Sequence, residues 1–191
     1  MKTLILNGSP RKNGDTMTLI VEMQKYLEGE VKIVSAFYDN IGPCTDCRDC
    51  WKTEGCSIDD GMQEVYKDLN EVDNVIIASP LYFSELTGPL LNLASRLQLY
   101  FAAKYFRKAE ILLKPKYGAL VLTGGGAAGD TAKAESTAKS LFKIMNVTSI
   151  GNIFSLKTDT RPAADDAAAL QKARETAVEL NRLYHERRNQ K

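Results

Sequence analysis

The chain has 191 residues, of which 44% are hydrophobic and 26% are charged, and its formal net charge is +1. This length and composition predict one globular domain with a full core, and the small charge argues against a function on nucleic acid or an anionic membrane. No apolar run approaches the roughly 18 residues of a membrane span. All four cysteines lie between positions 44 and 56, which favours a metal or redox cluster in the reducing cytoplasm over a disulfide framework.

The first predicted strand, residues 4–6, is followed by a loop and then by a helix with Met17, Ile20, Met23 and Leu27 along one face. Backbone N–H groups and the positive end of a helix dipole suit a phosphate at such a turn. An ordinary strand-to-helix turn has a similar composition, but the presence of an Arg favours a ligand. The residues predicted to hold a phosphate are Ser9, Arg11, Asn13, Gly14, Asp15 and Thr16.

Two familiar nucleotide-binding loops are excluded by spacing. Five residues separate Gly8 from Gly14 where a Walker A loop has four, and Asp15 stands at the position of its Lys. A formal G-x-G-x-x-G at residues 124–129 opens the fourth strand–helix unit rather than the first, and no acid follows at the expected distance of about 20 residues. The dinucleotide interpretation is therefore rejected.

Four further strands are predicted at residues 31–37, 72–78, 117–122 and 147–154, and the last helix is predicted at about residues 163–187. Asp59 and Asp60 are predicted to cap the second helix, and four leucines mark one helix after the third strand: Leu86, Leu90, Leu93 and Leu97. Five strands alternating with five helices predict an α/β fold, a doubly wound five-stranded parallel sheet with helices on both faces. We expect residues 1–191 to form a single domain, with a cysteine-rich insertion at residues 42–58.

Loops after the third and fourth strands complete a predicted ligand slot, because ligands bind at the carboxyl ends of such strands. The loop after the third strand offers an aromatic shelf, and consecutive glycines after the fourth let backbone approach a planar ring. The aromatic residues could instead plug the end of a helix. The residues predicted to contact the ring are Pro80, Leu81, Tyr82, Phe83, Ser84, Thr123, Gly124, Gly125 and Gly126. A phosphate loop beside a flat slot predicts a mononucleotide with a large planar ring.

These motifs resemble the flavodoxin-like NAD(P)H-dependent FMN reductases, and within them the iron–sulfur flavoprotein group. Two positions depart from the pattern, since Asp15 stands where the family usually has Asn, and Ser95 where an acid is common. The resemblance implies that residues 1–191 form a single flavodoxin-like flavin-binding domain. It also implies non-covalently bound FMN, NAD(P)H as the electron donor, and a homodimer or homotetramer with the flavin near a subunit interface. The matching segments are 8–11, 13–16, 59–62, 79–83, 87–89 and 123–126, together with the cysteine segment.

The cysteine segment has the spacing C-x2-C-x2-C-x5-C, formed by Cys44, Cys47, Cys50 and Cys56. Four thiolates this close together can hold a [4Fe–4S] cluster, and the spacing is similar to that of the iron–sulfur flavoproteins. Zinc more often takes two separated Cys pairs, whereas a thiol–disulfide pair within either C-x2-C step stays an open alternative. We therefore predict these four cysteines as metal ligands, with the absence of a cluster as the competing interpretation.

Three functions follow from these features. The leading hypothesis is an FMN-dependent oxidoreductase that takes a hydride from NAD(P)H and passes electrons to a flavin, a quinone or another small-molecule or protein acceptor. The alternative is an iron–sulfur flavoprotein that relays electrons from ferredoxin through FMN and a [4Fe–4S] cluster. The third is a thiol or metal module with an empty flavin site. No protein acid or base is assigned, because the chemistry belongs to the cofactor, and the single His185 is predicted to lie on the surface.

Overall fold

The computed structural model describes residues 1–109, 113–126 and 130–189. Its centre is one five-stranded sheet in the order β2-β1-β3-β4-β5, and every pair of neighbouring strands is parallel. The direction in which strands are added reverses between β1 and β3, the point at which ligands bind in doubly wound folds. The strands are β1 (Lys2–Asn7), β2 (Glu30–Ser35), β3 (Asn74–Pro80), β4 (Lys116–Gly124) and β5 (Val147–Leu156).

Helices cover both faces of the sheet. Alternate residues of a strand point to opposite faces, so Leu4 and Leu6 pack in one core while Ile5 packs in the other. The first core includes side chains of α2–α5 and the second those of α1 and α6. The flavodoxin-like fold is therefore confirmed. The helices are α1 (Asp15–Gln24), α2 (Met62–Glu71), α3 (Gly88–Ser95), α4 (Gln98–Tyr105), α5 (Ala132–Ile144) and α6 (Ala167–Asn189).

The prediction of a single helix between the third and fourth strands was wrong, because α3 and α4 both lie there. The N–H groups of Arg96 and Leu97 donate to carbonyl oxygens three residues back, on Leu93 and Ala94, so the regular hydrogen-bond ladder is interrupted between the two helices. Leu86 precedes α3 and Leu97 follows it, yet both side chains are buried. The leucine spacing thus identified buried positions correctly but not the break between the helices.

Several element ends differ from the predicted ones by a few residues. β3 continues through Ser79 and Pro80, which were predicted to stop it, and β5 continues to Leu156. The last helix begins at Ala167, after a short 3-10 turn at Ala163–Asp165. The N-cap of α2 is Gly61, so the prediction that Asp59 and Asp60 cap this helix was wrong, although Asp60 Oδ1 accepts a hydrogen bond from Met62 N at 3.0 Å. In the part of the chain described, no helix has the length and apolar character needed to cross a membrane.

Candidate flavin and cysteine sites

The loop between β1 and α1 is folded by its own side chains. Asn7 Oδ1 accepts a hydrogen bond from Ser9 N at 2.9 Å, and Ser9 Oγ accepts one from Arg11 N at 3.2 Å. Asn7 and Ser9 are buried, whereas Arg11 is exposed. The backbone of Arg11 is therefore held in a hydrogen-bonded turn, while its exposed guanidinium stays available to an anion.

Gly8 joins this loop to the loop after β3. Its N–H donates to Ala78 O at 2.8 Å, and its carbonyl accepts a hydrogen bond from Thr87 Oγ1, also at 2.8 Å. A Cβ at position 8 would lie 2.7 Å from Thr87 Oγ1 and 2.9 Å from Leu90 Cβ. The close approach of α3 therefore requires glycine here, and it holds the first and second predicted ligand loops together.

A cavity of about 330 Å³ opens where β1, β3 and β4 end, and we call it the flavin cavity. This volume lies at the lower end of the range for small-molecule sites. Most of the residues predicted to bind the cofactor line it, but Asn13, Gly14, Phe83 and Ser84 do not. The lining residues are Ser9, Pro10, Arg11, Asp15, Thr16, Pro80, Leu81, Tyr82, Thr123, Gly124, Gly125, Gly126, Thr158 and Asp159.

Two lining residues at the start of α1 already have protein partners. Asp15 Oδ1 accepts a hydrogen bond from Ala163 N at 2.8 Å, which attaches α1 to the segment before α6. Thr16 Oγ1 lies 2.8 Å from Thr123 Oγ1, and both side chains are buried. The start of α1 is thereby tied directly to the end of β4.

The sequence interpretation missed a fourth loop, which follows β5. Thr158 N donates to Gly124 O at 2.9 Å, so this loop is fastened to the end of β4. A Cβ placed on Gly125 would lie only 2.4 Å from both carboxylate oxygens of Asp159. The signal that could have found these residues was their position just beyond the end of a parallel strand, the same rule that identified the other three loops.

The predicted aromatic shelf is divided by a tight turn. Tyr82 and Glu85 exchange two backbone hydrogen bonds, and the intervening Phe83 and Ser84 have φ values of 54° and 63°. Two successive positive φ values define a type I′ turn, in which Gly and Asn are the favoured residues. Tyr82 consequently lines the flavin cavity while Phe83 points away from its wall and is 98% exposed.

The residues around the flavin cavity suit FMN. Its lining combines hydroxyl and guanidinium groups and the start of α1 with Pro80, Leu81 and the backbone of the glycines after β4. Among the described residues, a Cβ on Gly126 would meet no atom within 4 Å, so the backbone at this position is open to a ligand. Residues 127–129 of the predicted glycine loop lie outside the described residues.

The four cysteines line a second, smaller cavity of about 130 Å³, which we call the cysteine cavity. Cys44 and Cys47 are exposed, while Cys50 and Cys56 are half-buried, and all four are free thiols. Burial, followed by the nearby cysteines, raises the pKa of the Cys50 thiol. Binding of a metal by Cys50 would therefore release a proton.

A buried ion pair lies beside this cavity. Arg96 Nη1 donates to Asp60 Oδ2 at 2.6 Å, and the Arg96 side chain is 1% exposed. Burial opposes ionisation of Asp60, but the hydrogen bonds from Arg96, Gly42 and Met62 outweigh it and hold the pKa of the carboxyl below its usual value. Such a pair is costly to break, because the remaining partner would be a buried uncompensated charge.

Four thiols around one cavity are the ligand set of a cubic iron–sulfur cluster, so the residues fit that group. Within residues 1–109, 113–126 and 130–189, no three His, Cys, Asp or Glu side chains converge on a point where one metal ion would be held. The assignment of Cys44, Cys47, Cys50 and Cys56 as metal ligands stays a prediction.

Comparison with known proteins identifies the class to which this fold and these cavities belong. The family described as NADPH-dependent FMN reductase matches residues 1–161. The chain belongs to this family and is an FMN-dependent oxidoreductase that uses NAD(P)H. FMN is accordingly its cofactor.

Curated relatives place the chain beside one group of that family. It is 29% identical over 184 residues to an iron–sulfur flavoprotein of Methanosarcina thermophila, with 94% of this chain and 93% of the relative covered. An iron–sulfur flavoprotein of Methanocaldococcus jannaschii is 29% identical over 197 residues, with 96% of each chain covered. The resemblance drawn from the sequence motifs is confirmed.

Solved structures agree on the fold. The NAD(P)H:quinone oxidoreductase from Methanothermobacter marburgensis superposes with a TM-score of 0.71 at 14% identity, covering 95% of this chain and 97% of that one. An FMN-dependent NADH-azoreductase from Bacillus anthracis, solved in complex with FMN, superposes with a TM-score of 0.67 at 14% identity, covering 94% of this chain and 98% of that one. At these identities the likeness concerns the fold alone.

Proposed function

We propose that FMN occupies the flavin cavity, with its phosphate in the β1–α1 loop and its ring against the ends of β3 and β4. The observation that supports this placement is the lining of the cavity, in which Ser9 and Arg11 of the β1–α1 loop supply hydroxyl and guanidinium groups while Leu81 and the glycine backbone come from the ends of β3 and β4. Bound FMN supplies the hydride and electron transfer chemistry. The chain contributes binding, orientation and an open edge at which a second molecule can reach the ring.

The proposed acceptor is a small planar molecule, such as a quinone or a free flavin. Tyr82, which lines the cavity and is 47% exposed, provides an aromatic surface for such a molecule at the edge of the site. Structures with this fold include proteins described as a quinone oxidoreductase and an azoreductase, which supports acceptors of this class. The test is steady-state oxidation of NADH and NADPH with a quinone, free FMN and an azo dye as separate acceptors. Turnover with none of them contradicts the proposal.

The second candidate function is an iron–sulfur flavoprotein that relays electrons from a ferredoxin. It is favoured by the cysteine cavity and by relatives described as iron–sulfur flavoproteins. In this function Cys44, Cys47, Cys50 and Cys56 would hold a [4Fe–4S] cluster, which supplies one-electron transfer when bound. Reduction by ferredoxin but not by NAD(P)H, in protein prepared anaerobically with about four irons per chain, would select this function over the first.

A homodimer or homotetramer in the cytoplasm belongs to the same proposal. Exposed aromatic side chains on and after α4 offer a surface that a neighbouring subunit could cover, namely Phe101, Tyr105 and Phe106 at 43%, 58% and 45% exposure. The cluster of free cysteines supports a reducing compartment. Light scattering coupled to size-exclusion chromatography measures the mass directly, and a monomer at micromolar concentration would contradict the oligomer.

A further inference from the structure

Arg96 has more hydrogen-bond partners than an ion pair requires. In addition to Asp60, its Nη1 donates to Gly42 O at 3.2 Å. Its Nη2 donates to Ile58 O at 3.2 Å and to Cys56 Sγ at 3.3 Å. A planar guanidinium can hold several acceptors at fixed angles, which a lysine ammonium cannot do.

These partners lie at both ends of the cysteine segment. Gly42 precedes its first cysteine and Ile58 follows its last, so one buried side chain brings the two ends together. The preceding residue adds another contact, because Ser95 Oγ accepts a hydrogen bond from Cys44 N at 2.9 Å. The end of α3 therefore contacts the segment at its first cysteine, at its last cysteine and at the backbone beyond each of them.

We propose that Arg96 is a positioning residue of the cysteine site, which closes the cysteine segment and holds the sulfur of Cys56 in place through an N–H···S hydrogen bond. Cys56 is then the fixed ligand, against which the more exposed Cys44 and Cys47 adjust when a cluster is bound. The part of this inference that concerns a bound cluster rests on the proposed cluster function. The closing of the cysteine segment by Arg96 is independent of that function, because its hydrogen bonds are formed by the protein chain alone.

The test substitution is Arg96→Lys, which keeps a positive charge beside Asp60 but cannot span all four acceptors. Its matched control is Arg48→Lys, since Arg48 also lines the cysteine cavity, but it is exposed and the hydrogen bonds that its side chain donates go to Asp46 within the same segment. Far-UV circular dichroism and FMN absorbance establish that each variant is folded. If Arg96→Lys does not fold, Asp60→Asn is used in its place, because it weakens the contact between Arg96 and residue 60 by removing the carboxylate.

The first measurement uses the protein without iron. Iodoacetamide labels the native thiols at one pH, and mass spectrometry gives a separate rate for each cysteine. Loss of the hydrogen bonds donated by Arg96 should open the cysteine segment locally and raise the labelling rate of Cys56 about tenfold in Arg96→Lys. Cys44 and Cys47 are already exposed and should change less than about twofold, because local opening adds little access to them. Equal Cys56 rates in wild type, Arg96→Lys and Arg48→Lys would overturn the proposal.

The second measurement uses protein loaded anaerobically with iron and sulfide, and it records the midpoint potential of the cluster signal. Hydrogen bonds to cluster sulfurs set this potential, so loss of the donor at Cys56 should move it to more negative values in Arg96→Lys and leave it unchanged in Arg48→Lys. Equal potentials in all three proteins would overturn the assignment of Arg96 to the cluster. If wild type takes up no iron, the cluster function fails, and the labelling rates still decide the positioning role.

Discussion

The hydroxyl groups of Thr16 and Thr123 lie 2.8 Å apart, although 107 positions separate the two residues in the chain. Thr16 lies in the first turn of α1 and Thr123 near the end of β4, and both are buried. One hydroxyl donates to the other in a place where an unpaired one would be costly. The pair therefore fixes the start of α1 against the end of β4 at the wall of the flavin cavity.

Replacing one member of this pair should destabilise the protein. We expect Thr123→Val to lower the free energy of unfolding by about 1–3 kcal/mol, because the buried Thr16 hydroxyl loses its partner. The double variant Thr16→Val/Thr123→Val should lose less than the sum of the two single variants, since neither hydroxyl then remains. Urea unfolding of the four FMN-free proteins measures this cycle, and additive losses would show that the hydroxyls are not coupled.

Arg11 is expected to contribute to FMN affinity through the phosphate. Arg11→Ala should weaken FMN binding by about 1–3 kcal/mol, the range for a charged hydrogen bond. Riboflavin has no phosphate and should bind both proteins equally. Lys12→Ala is the control, because Lys12 is the adjacent cation and does not line the flavin cavity. Titration of flavin fluorescence gives all the affinities, and an unchanged FMN affinity in Arg11→Ala would refute this role.

A side chain at position 125 would meet the exposed carboxylate of Asp159. In Gly125→Ala the new Cβ would lie 2.4 Å from this carboxylate, which must move aside. Because the Cβ would also project where we propose that the flavin ring packs, we expect FMN binding to weaken by about 1–3 kcal/mol, the usual cost of overpacking. Gly88→Ala should have no such effect, because a Cβ there would meet no atom of the described residues within 4 Å. The double variant Gly125→Ala/Asp159→Gly should bind FMN more tightly than Gly125→Ala alone. Flavin content measured beside circular dichroism separates loss of cofactor from loss of fold.

Lys116 should make stability depend on pH in the alkaline range. Its side chain is completely buried, and burial, with Lys114 and Arg187 nearby, lowers its pKa to about 8. In the unfolded chain the pKa of a lysine is about 10.4. At pH values between the folded and the unfolded pKa, the unfolded state therefore binds more protons than the folded state, and the free energy of unfolding rises with pH.

Lys116→Met should therefore lack this alkaline rise, while the exposed control Lys52→Met should keep it. The measurement is urea unfolding at pH 7.5 and pH 9.5, two values that span most of the interval between the folded and the unfolded pKa. Each variant is compared with wild type at the same pH. The other titrating groups are common to all three proteins and cancel in the comparison. The same pH dependence in Lys116→Met and wild type would contradict the shifted pKa.

The turn at Phe83 and Ser84 is expected to be a site of backbone strain. Ser84→Gly should raise the free energy of unfolding by about 0.5–1 kcal/mol, because glycine removes the cost of the left-handed conformation but adds freedom to the unfolded chain. Ser84→Ala keeps the Cβ and should bring no such gain. Thermal and urea unfolding give the free energy of unfolding of wild type and both variants. Equal changes in this free energy for Ser84→Gly and Ser84→Ala would mean that the turn is not strained.

The features that the sequence predicted correctly have local signals. Apolar runs identified the strands, and the residues that follow β1, β3 and β4 identified three of the cavity loops. The features that were missed depend on distant partners. Asp159 lies beyond the end of β5, and its approach to Gly125 brings it to the cavity, while the break between α3 and α4 lies where Arg96 is paired with Asp60, 36 positions away. Phe83 was assigned to the cavity because the left-handed turn that directs it outward has no Gly or Asn to mark it.

The flavin cavity draws its walls from Ser9 near the start of the chain to Asp159 near its end. During synthesis, therefore, the complete cavity cannot exist until β5 and the loop beyond it have left the ribosome and paired with β4. Cofactor binding is then among the last events of folding, and free FMN stabilises only chains that have completed the sheet. Cellular FMN supply would thus influence how much of the newly made protein survives proteolysis, independently of its effect on turnover.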